Sequence, residues 1–331
     1  MRFTLAHITD LHMGPMIFFG PRYWNVKRLL GMANWYRGRR RAHRLPVLQA
    51  IVEDMLRQAP DHIAVTGDLV NIGLPAEHQR ALSWLQRLGS PEGLSVVPGN
   101  HDIYTRLGSD DGALRWRQFM SDNAAGAIFR GGDGDRDGEC ESFPFIRRFG
   151  DVALIGVNSA MPTRPFIAAG RVGDRQRQRL VDCLARLGDG GLTRIVLIHH
   201  PPLPGQASPT RALKDAEALR SIIAAQGAEL VLHGHNHRNM LAWCQRNGEA
   251  AAVPVVGAPS ASMGRCHHGE PLARYNLYRI DTDRRQGGGL QGSGGDGAEV
   301  TIEMVGRGFA EPGGDIVELE RRILRPGEGL R

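Results

Sequence analysis

Lysine is almost missing from this chain: Lys27 and Lys214 are the sole examples in 331 residues, so 39 of the 41 basic side chains are arginine. A G+C-rich genome would leave the same imprint, and the bias by itself assigns no partner. Cysteine is scarce too. Cys140, Cys183, Cys244 and Cys266 stand singly with no C-x-x-C pair, which excludes a zinc knuckle or a disulfide-stapled scaffold and points to a reducing compartment. No apolar run approaches the ~18 residues of a membrane span. The first ten residues are too polar for a signal peptide, so a cytoplasmic protein is expected, touching the inner membrane at most peripherally. The last absence is of acid. Residues 11–52 contain no Asp or Glu but eight basic side chains, whereas the other positions carry 33 basic and 35 acidic ones. The formal charge of +6 and the pI near 9.5 therefore originate in one segment, and they suggest an anionic partner there.

The chain as a whole has the make-up of a soluble globular protein, 41% hydrophobic and 23% charged. Short apolar runs at 3–9, 62–66, 94–97, 152–157, 194–198, 229–232 and 254–256 predict buried strands, each ending in a polar cluster. Stretches of helical period at 47–58, 75–88, 174–187 and 215–226 lie between them, so an α/β fold is expected, with ligands at the carboxyl ends of the strands. Segments 275–280 and 300–305 predict two more strands around a glycine run, 287–295, read as a mobile hairpin tip. The loop 133–138 imitates the start of a calcium-binding EF-hand. Its twelfth position is Pro144 rather than Glu, so it is read as a solvated acidic loop.

Five polar clusters fall at predicted strand ends: Asp10-Leu11-His12, Gly67-Asp68, Gly99-Asn100-His101-Asp102, His199-His200-Pro201 and Gly234-His235-Asn236-His237. A lone D-x-H, or a lone histidine at a strand end, is more often structural than a ligand. Five together bring carboxylate, imidazole and amide groups to the edge where an α/β fold builds its site. Their order, D-x-H, G-D, G-N-H-D, H-x-P and G-H-x-H, resembles that of the calcineurin-like metallophosphoesterases, and the resemblance extends from Met1 to about Phe309.

That resemblance implies an αββα sandwich of two mixed β-sheets flanked by helices, with a dimetal site at strand carboxyl ends. It implies one domain over 1–310, with a cap insertion at 16–44, followed by a C-terminal tail at 311–331. Carried over to this sequence, Asp10, His12 and His237 hold one metal, Asn100, His199 and His235 hold the other, and Asp68 bridges both. Two cations ~3.5–4 Å apart repel each other, so a shared carboxylate and a shared hydroxide suit the gap, and that hydroxide would attack phosphorus in line. His101 and Asp102 are the expected catalytic pair. His101 faces the leaving oxygen, and Asp102 either orients that imidazole or caps the turn that follows. His200, His233 and Cys266-His267-His268 are read as packed or loop residues. The mixed oxygen and imidazole donors suit manganese, iron or zinc, with manganese preferred. A ferric-tyrosinate centre of the purple acid phosphatase kind is not expected, because Asn71 stands where its tyrosine would be.

Segment 16–44 holds six of the chain's twenty aromatics, Phe18, Phe19, Tyr23, Trp24, Trp35 and Tyr36, among its basic residues. It is read as a lid whose Arg22, Arg28, Arg37, Arg39, Arg40 and Arg41 grip phosphate, or as a contact for anionic lipid at a membrane surface. The alternative is an insertion whose aromatics pack on the domain. Gly170-Arg171-Val172-Gly173 followed by Gln176 resembles the cyclic-nucleotide and glycerophosphodiester phosphodiesterase branch. A phosphorylated small molecule, nucleotide-like or lipid-linked, is the expected substrate. A UDP-2,3-diacylglucosamine pyrophosphatase-like enzyme of lipid A synthesis at the inner membrane ranks second. A DNA repair exonuclease-like nuclease ranks third, and a non-enzymatic scaffold fits the intact ligand set poorly.

Overall fold

The computed structural model describes residues 1–105, 111–129, 143–248, 251–266, 269–283 and 299–326. The acidic loop 133–138, the glycine run 287–295, Cys140 and His267–His268 lie outside the described residues. Among the described residues twelve strands form two six-stranded sheets. The first runs in the order β12 (Ile316–Leu324), β11 (Glu299–Phe309), β10 (Arg274–Asp283), β1 (Arg2–Ile8), β2 (His62–Val65), β3 (Leu94–Val96). The second runs β4 (Phe145–Phe149), β5 (Val152–Gly156), β6 (Thr193–Leu197), β7 (Leu230–His233), β9 (Ala252–Gly257), β8 (Met240–Gln245). Both sheets are mixed. β1, β2 and β3 are parallel, as are β5, β6, β7 and β9, while β10, β11, β12, β4 and β8 join antiparallel.

Side chains that alternate along a strand separate the layers. Leu154, Ile195, Leu197, Leu230 and Leu232 point into the core between the sheets, on the side to which Phe3, Leu5, Tyr278 and Ile280 of the first sheet turn. Their neighbours Ala153, Ile155, Val196, Ile198 and Val231 point the other way, onto α6 (Asp174–Asp189) and α7 (Ala216–Gln226) through Leu180, Leu184, Leu219 and Ile223. On the far side of the first sheet lie α3 (Leu45–Arg57) and α4 (Pro75–Leu88), which bury Leu48, Ile51, Met55, Ala81 and Leu85. The αββα sandwich expected from the sequence is therefore present. The short helices are α1 (Val26–Asn34), a π-helical turn Trp35–Arg39, α2 (Arg40–Ala42) and α5 (Ala124–Ala127).

Three strands escape a reading of apolar runs. β4 is cut by Arg147 and Arg148, and β8 is half-exposed. β12 lies inside the stretch expected to be a C-terminal tail and corrects that expectation. Its charged residues suit an exposed edge strand, whose pairing with β11 comes from backbone hydrogen bonds rather than burial.

One buried ion pair ties α3 to this sheet. Asp54 accepts hydrogen bonds from Tyr275 Oη at 2.6 Å and from Arg307 Nε and Nη2 at 2.7 and 3.0 Å. Burial raises the Asp54 pKa, but the bonds from Arg307 and Tyr275 outweigh it and hold the carboxyl below its ordinary value. Its contribution to stability is thus present above the unfolded pKa of about 4 and is lost as pH falls through the lowered folded value. Replacing Asp54 by Ala leaves half-buried Arg307 with Tyr275 Oη in place of a carboxylate, and urea unfolding at neutral pH should show a loss of about 1–3 kcal/mol. The gap between variant and wild type should narrow in acid.

Candidate metal centre

Sharp turns at the strand ends aim the side chains inward. Among the described residues seven non-glycine positions have left-handed φ, and five of them are Asp10, His12, Asp68, His235 and His237, with φ between 41° and 70°. Such backbone is costly for residues with a Cβ and persists where the surroundings over-determine it. Here the loops after β1 and β2 are laced together, Asp10 N to Gly67 O at 3.0 Å and His12 N to Asp68 O at 2.9 Å. The loops after β2 and β3 share the Asp102 carboxylate, which accepts from the backbone N–H groups of Asp68, Leu69, Val70 and Gly99 at 2.8–3.1 Å. Gly99 must be glycine for another reason: a Cβ there would lie 2.2 Å from Asp68 Oδ1.

The seven expected ligands come together, all buried. Asp10 Oδ2 is anchored by Thr9 Oγ1 at 2.8 Å and His235 N at 2.9 Å. Its other oxygen receives no hydrogen bond, although His237 Nε2 lies 3.0 Å away and His12 Nε2 3.9 Å. Asp68 repeats the pattern. Oδ1 accepts from His101 N at 2.7 Å, and Oδ2 faces His199 Nε2 at 3.5 Å and His12 Nε2 at 3.9 Å, between the two groups. His12 Nε2 is 3.2 Å from His237 Nε2, and His199 Nε2 is 3.2 Å from both Asn100 Oδ1 and His235 Nδ1. Atoms each about 2.1 Å from one cation, at roughly right angles, would lie about 3 Å apart, which is this spacing.

The outer nitrogens explain why the inner ones converge. His12 Nδ1 donates to Val70 O at 3.3 Å, His199 Nδ1 to Thr66 O at 2.7 Å, His235 Nε2 to Arg211 O at 2.9 Å and His237 Nδ1 to Glu270 Oε2 at 3.0 Å. These oxygens can only accept, so in each neutral ring the inner nitrogen presents its lone pair to the cluster. An orphaned carboxylate oxygen surrounded by such lone pairs fits a cation. Burial pushes His199 and His237 down, but the Asp68 and Asp10 carboxylates reverse this and raise both to about 9. Burial, together with neighbouring cationic and imidazole groups, holds His12 and His235 well below the ordinary histidine value.

His101 borders the cluster, its ring held through Nδ1 by the Asn71 carbonyl. Asp102 does not orient that ring, because both of its oxygens are occupied by backbone N–H groups; nor are these groups in the turn that follows it, since they belong to Asp68, Leu69, Val70 and Gly99. Burial and then the Asp68 charge push its carboxyl up to about 7, against the pull of those donors. His200 is engaged by Ser159 Oγ at 2.8 Å and Ala168 O at 3.1 Å, so His199 is the strand-end histidine turned toward the cluster.

The six cap arginines divide. Arg39 alone of them lines the pocket over the cluster, with Nη1 3.1 Å from His101 Nε2 and Nη2 3.0 Å from His12 Nε2. Arg28 is spent on structure, donating to the carbonyls of Ile72, Gly73 and Tyr23 at 3.2, 2.7 and 3.2 Å. Arg22, Arg37, Arg40 and Arg41 are exposed away from the pocket lining. The aromatics divide likewise. Phe19 and Trp35 are buried, and Tyr23 packs beside Phe19, Ile72 and Leu74, while Phe18, Trp24 and Tyr36 face outward. Sequence reasoning missed Glu270, Arg211 and His43, which also line the pocket. None sits in a recognisable motif, and Glu270 is brought to His237 by a loop 33 residues further along the chain.

Comparison with known proteins gives a consistent result. The family model described as "Calcineurin-like phosphoesterase" matches residues 3–239. A probable cyclic nucleotide phosphodiesterase of Synechococcus is 26% identical over 267 residues, 80% of this chain and 82% of that protein. A glycerophosphodiester phosphodiesterase, GpdQ, of Enterobacter lignolyticus is 27% identical over 215 residues, 61% of this chain and 64% of its own length. Among solved structures, a dimetal phosphatase from Danio rerio shares the fold with a TM-score of 0.56 at 13% identity, covering 98% of this chain and 99% of that one.

Glu270 offers a test of the geometry. Glu270→Ala removes the acceptor that sets the His237 tautomer, and calorimetric titration of the stripped protein with Mn²⁺ should show affinity reduced about 10–100-fold.

Proposed function

The chain belongs to the calcineurin-like phosphoesterase family, hydrolases of phosphoric esters, and from that premise we propose that it cleaves a phosphodiester or pyrophosphate bond of a nucleotide-like or lipid-linked small molecule at the cluster around Asp68. The observation that carries this reading is the position of Asp68 Oδ2 between two sets of inward-facing nitrogens. Asp10, His12 and His237 would hold one divalent cation, Asn100, His199 and His235 a second, and Asp68 both. Bound there, the pair supplies Lewis-acid charge for the phosphoryl oxygens and an acidified water as nucleophile. Manganese is our choice, since carboxylate and amide oxygens share the shell with imidazoles.

The chain's own groups complete the chemistry. Asn100 offers a neutral carbonyl oxygen, so it adds no charge to repel an incoming phosphate. The Arg39 guanidinium lies beside His101 Nε2 at the pocket floor, in reach of phosphoryl oxygens, with His101 facing the leaving oxygen. Its fork-shaped donors suit a phosphoryl group better than a lysine would. Both phosphodiesterase relatives favour a diester substrate. The second reading, a UDP-2,3-diacylglucosamine pyrophosphatase, draws on the apolar side chains that the cap turns outward.

With metal supplied, bis(p-nitrophenyl) phosphate should turn over faster than p-nitrophenyl phosphate; a filled site that cleaves neither would leave a scaffold. Asp68→Ala should lose both metal and turnover. Arg39→Met should lower kcat/KM for the diester about 100–1,000-fold with metal content unchanged. The double variant Arg40→Gln/Arg41→Gln should stay within about twofold of wild type on that soluble substrate, since exposed charges this far from the site are screened.

A further inference from the structure

Helix α1 is built inside out. Its cationic side faces the protein: Lys27 Nζ donates to Tyr104 O and Thr163 Oγ1, both at 2.8 Å, and Arg28 reaches the carbonyls already named. Gly31 allows the close approach on this side, for a Cβ there would meet Tyr104 Oη at 2.6 Å and Ile72 Cγ2 at 2.7 Å. The opposite stripe, Val26, Leu29, Leu30 and Ala33, follows the i, i+3, i+4, i+7 spacing that normally seats a helix on a core. Here Val26, Leu29 and Leu30 are exposed, Val26 by 66%. Phe18 (94% exposed), Trp24 and Tyr36 extend this surface. The loop bonded to the inner side of α1 through Lys27 and Thr163 carries another exposed aromatic, Phe166, 84% exposed on a left-handed backbone with φ 64°.

From this we propose that the cap face formed by α1, its flanking aromatics and Phe166 docks on an anionic lipid bilayer. Aliphatic and aromatic tips would enter the headgroup boundary, as in helices that lie in a membrane interface. Exposed Arg22, Arg37, Arg40 and Arg41 belong to the same segment, which has no acid from 11 to 52, with Arg40 against the outward-facing Tyr36 ring, and they match anionic headgroups. The same charge opposes a second copy, which would set two arginine-rich faces against each other. A nucleic acid would use the arginines but leave the aliphatic stripe in water. Among the described residues no helix is long and apolar enough to cross a membrane, so the contact is with the surface. Asn34 at the end of α1, then Arg39 and Ala168, line the pocket, so its mouth would open beside the headgroups. That consequence rests on the phosphoesterase reading; the membrane contact does not.

The test is sedimentation of the full chain with vesicles of phosphatidylcholine alone or mixed with phosphatidylglycerol. Wild type should pellet with the anionic vesicles, and high salt should release it. The variant Leu29→Ser/Leu30→Ser/Phe166→Ser should bind them at least about tenfold more weakly while turning over bis(p-nitrophenyl) phosphate like wild type. Arg37→Gln/Arg40→Gln/Arg41→Gln should also reduce vesicle binding. Failure of wild type to bind either vesicle overturns the proposal. So does concentration-dependent self-association in ultracentrifugation that the serine variant abolishes, or binding to an oligonucleotide without binding to vesicles. Vesicle binding by a metal-loaded protein that cleaves no phosphoester would sink the enzymatic reading and leave this one standing.

Discussion

The site depends on one carboxylate that does not belong to the ligand cluster. Asp102 gathers four backbone N–H groups from the loops after β2 and β3, and so holds Asp68 and the Gly99-Asn100 turn in fixed relation. Without it these amides would be buried and unpaired at the point where the backbone is already left-handed at Asp68. The strain that aims the ligands inward is thus offset by hydrogen bonds just beneath them. The loops after β1 and β7 are added by the same means, Asp10 N onto Gly67 O and His235 N onto Asp10 Oδ2.

A division of labour recurs across the cluster. In Asp10 and Asp68 one oxygen is fixed by protein donors and the other faces inward. In each histidine the outer nitrogen donates to a protein oxygen and the inner one faces the cluster. Geometry is therefore set by groups that cannot themselves reach a cation, which keeps buried donor atoms about 3 Å apart despite their mutual repulsion.

The cap shows how a single stretch of sequence acquires opposite uses. Phe19 and Trp35 hold it to the body, Arg39 reaches the pocket, and the outer stripe of α1 meets solvent. The packed-insertion reading of segment 16–44 describes Phe19 and Trp35, while the lid reading is carried as a proposal by Arg39 alone of its six arginines. Composition could not apportion the arginines, because the exit of Arg39 toward His101 comes from the π-helical turn Trp35–Arg39. A shift of one residue along that turn would send a different guanidinium inward.

By itself the sequence determines the layered α/β order, the strand-end clusters and the family, since these rest on local periodicity and on motifs whose members are close neighbours. It misses β12, whose edge pairing needs backbone partners and little apolar burial, and it predicts a tail in its place. It cannot decide the role of Asp102, which depends on which donors a fold brings within 3.1 Å. Nor can it find Glu270 behind His237 or choose Arg39 over Arg40. Those assignments belong to the tertiary structure, because hydrogen bonds and electrostatic contacts act over a few ångströms of space between residues far apart in the chain.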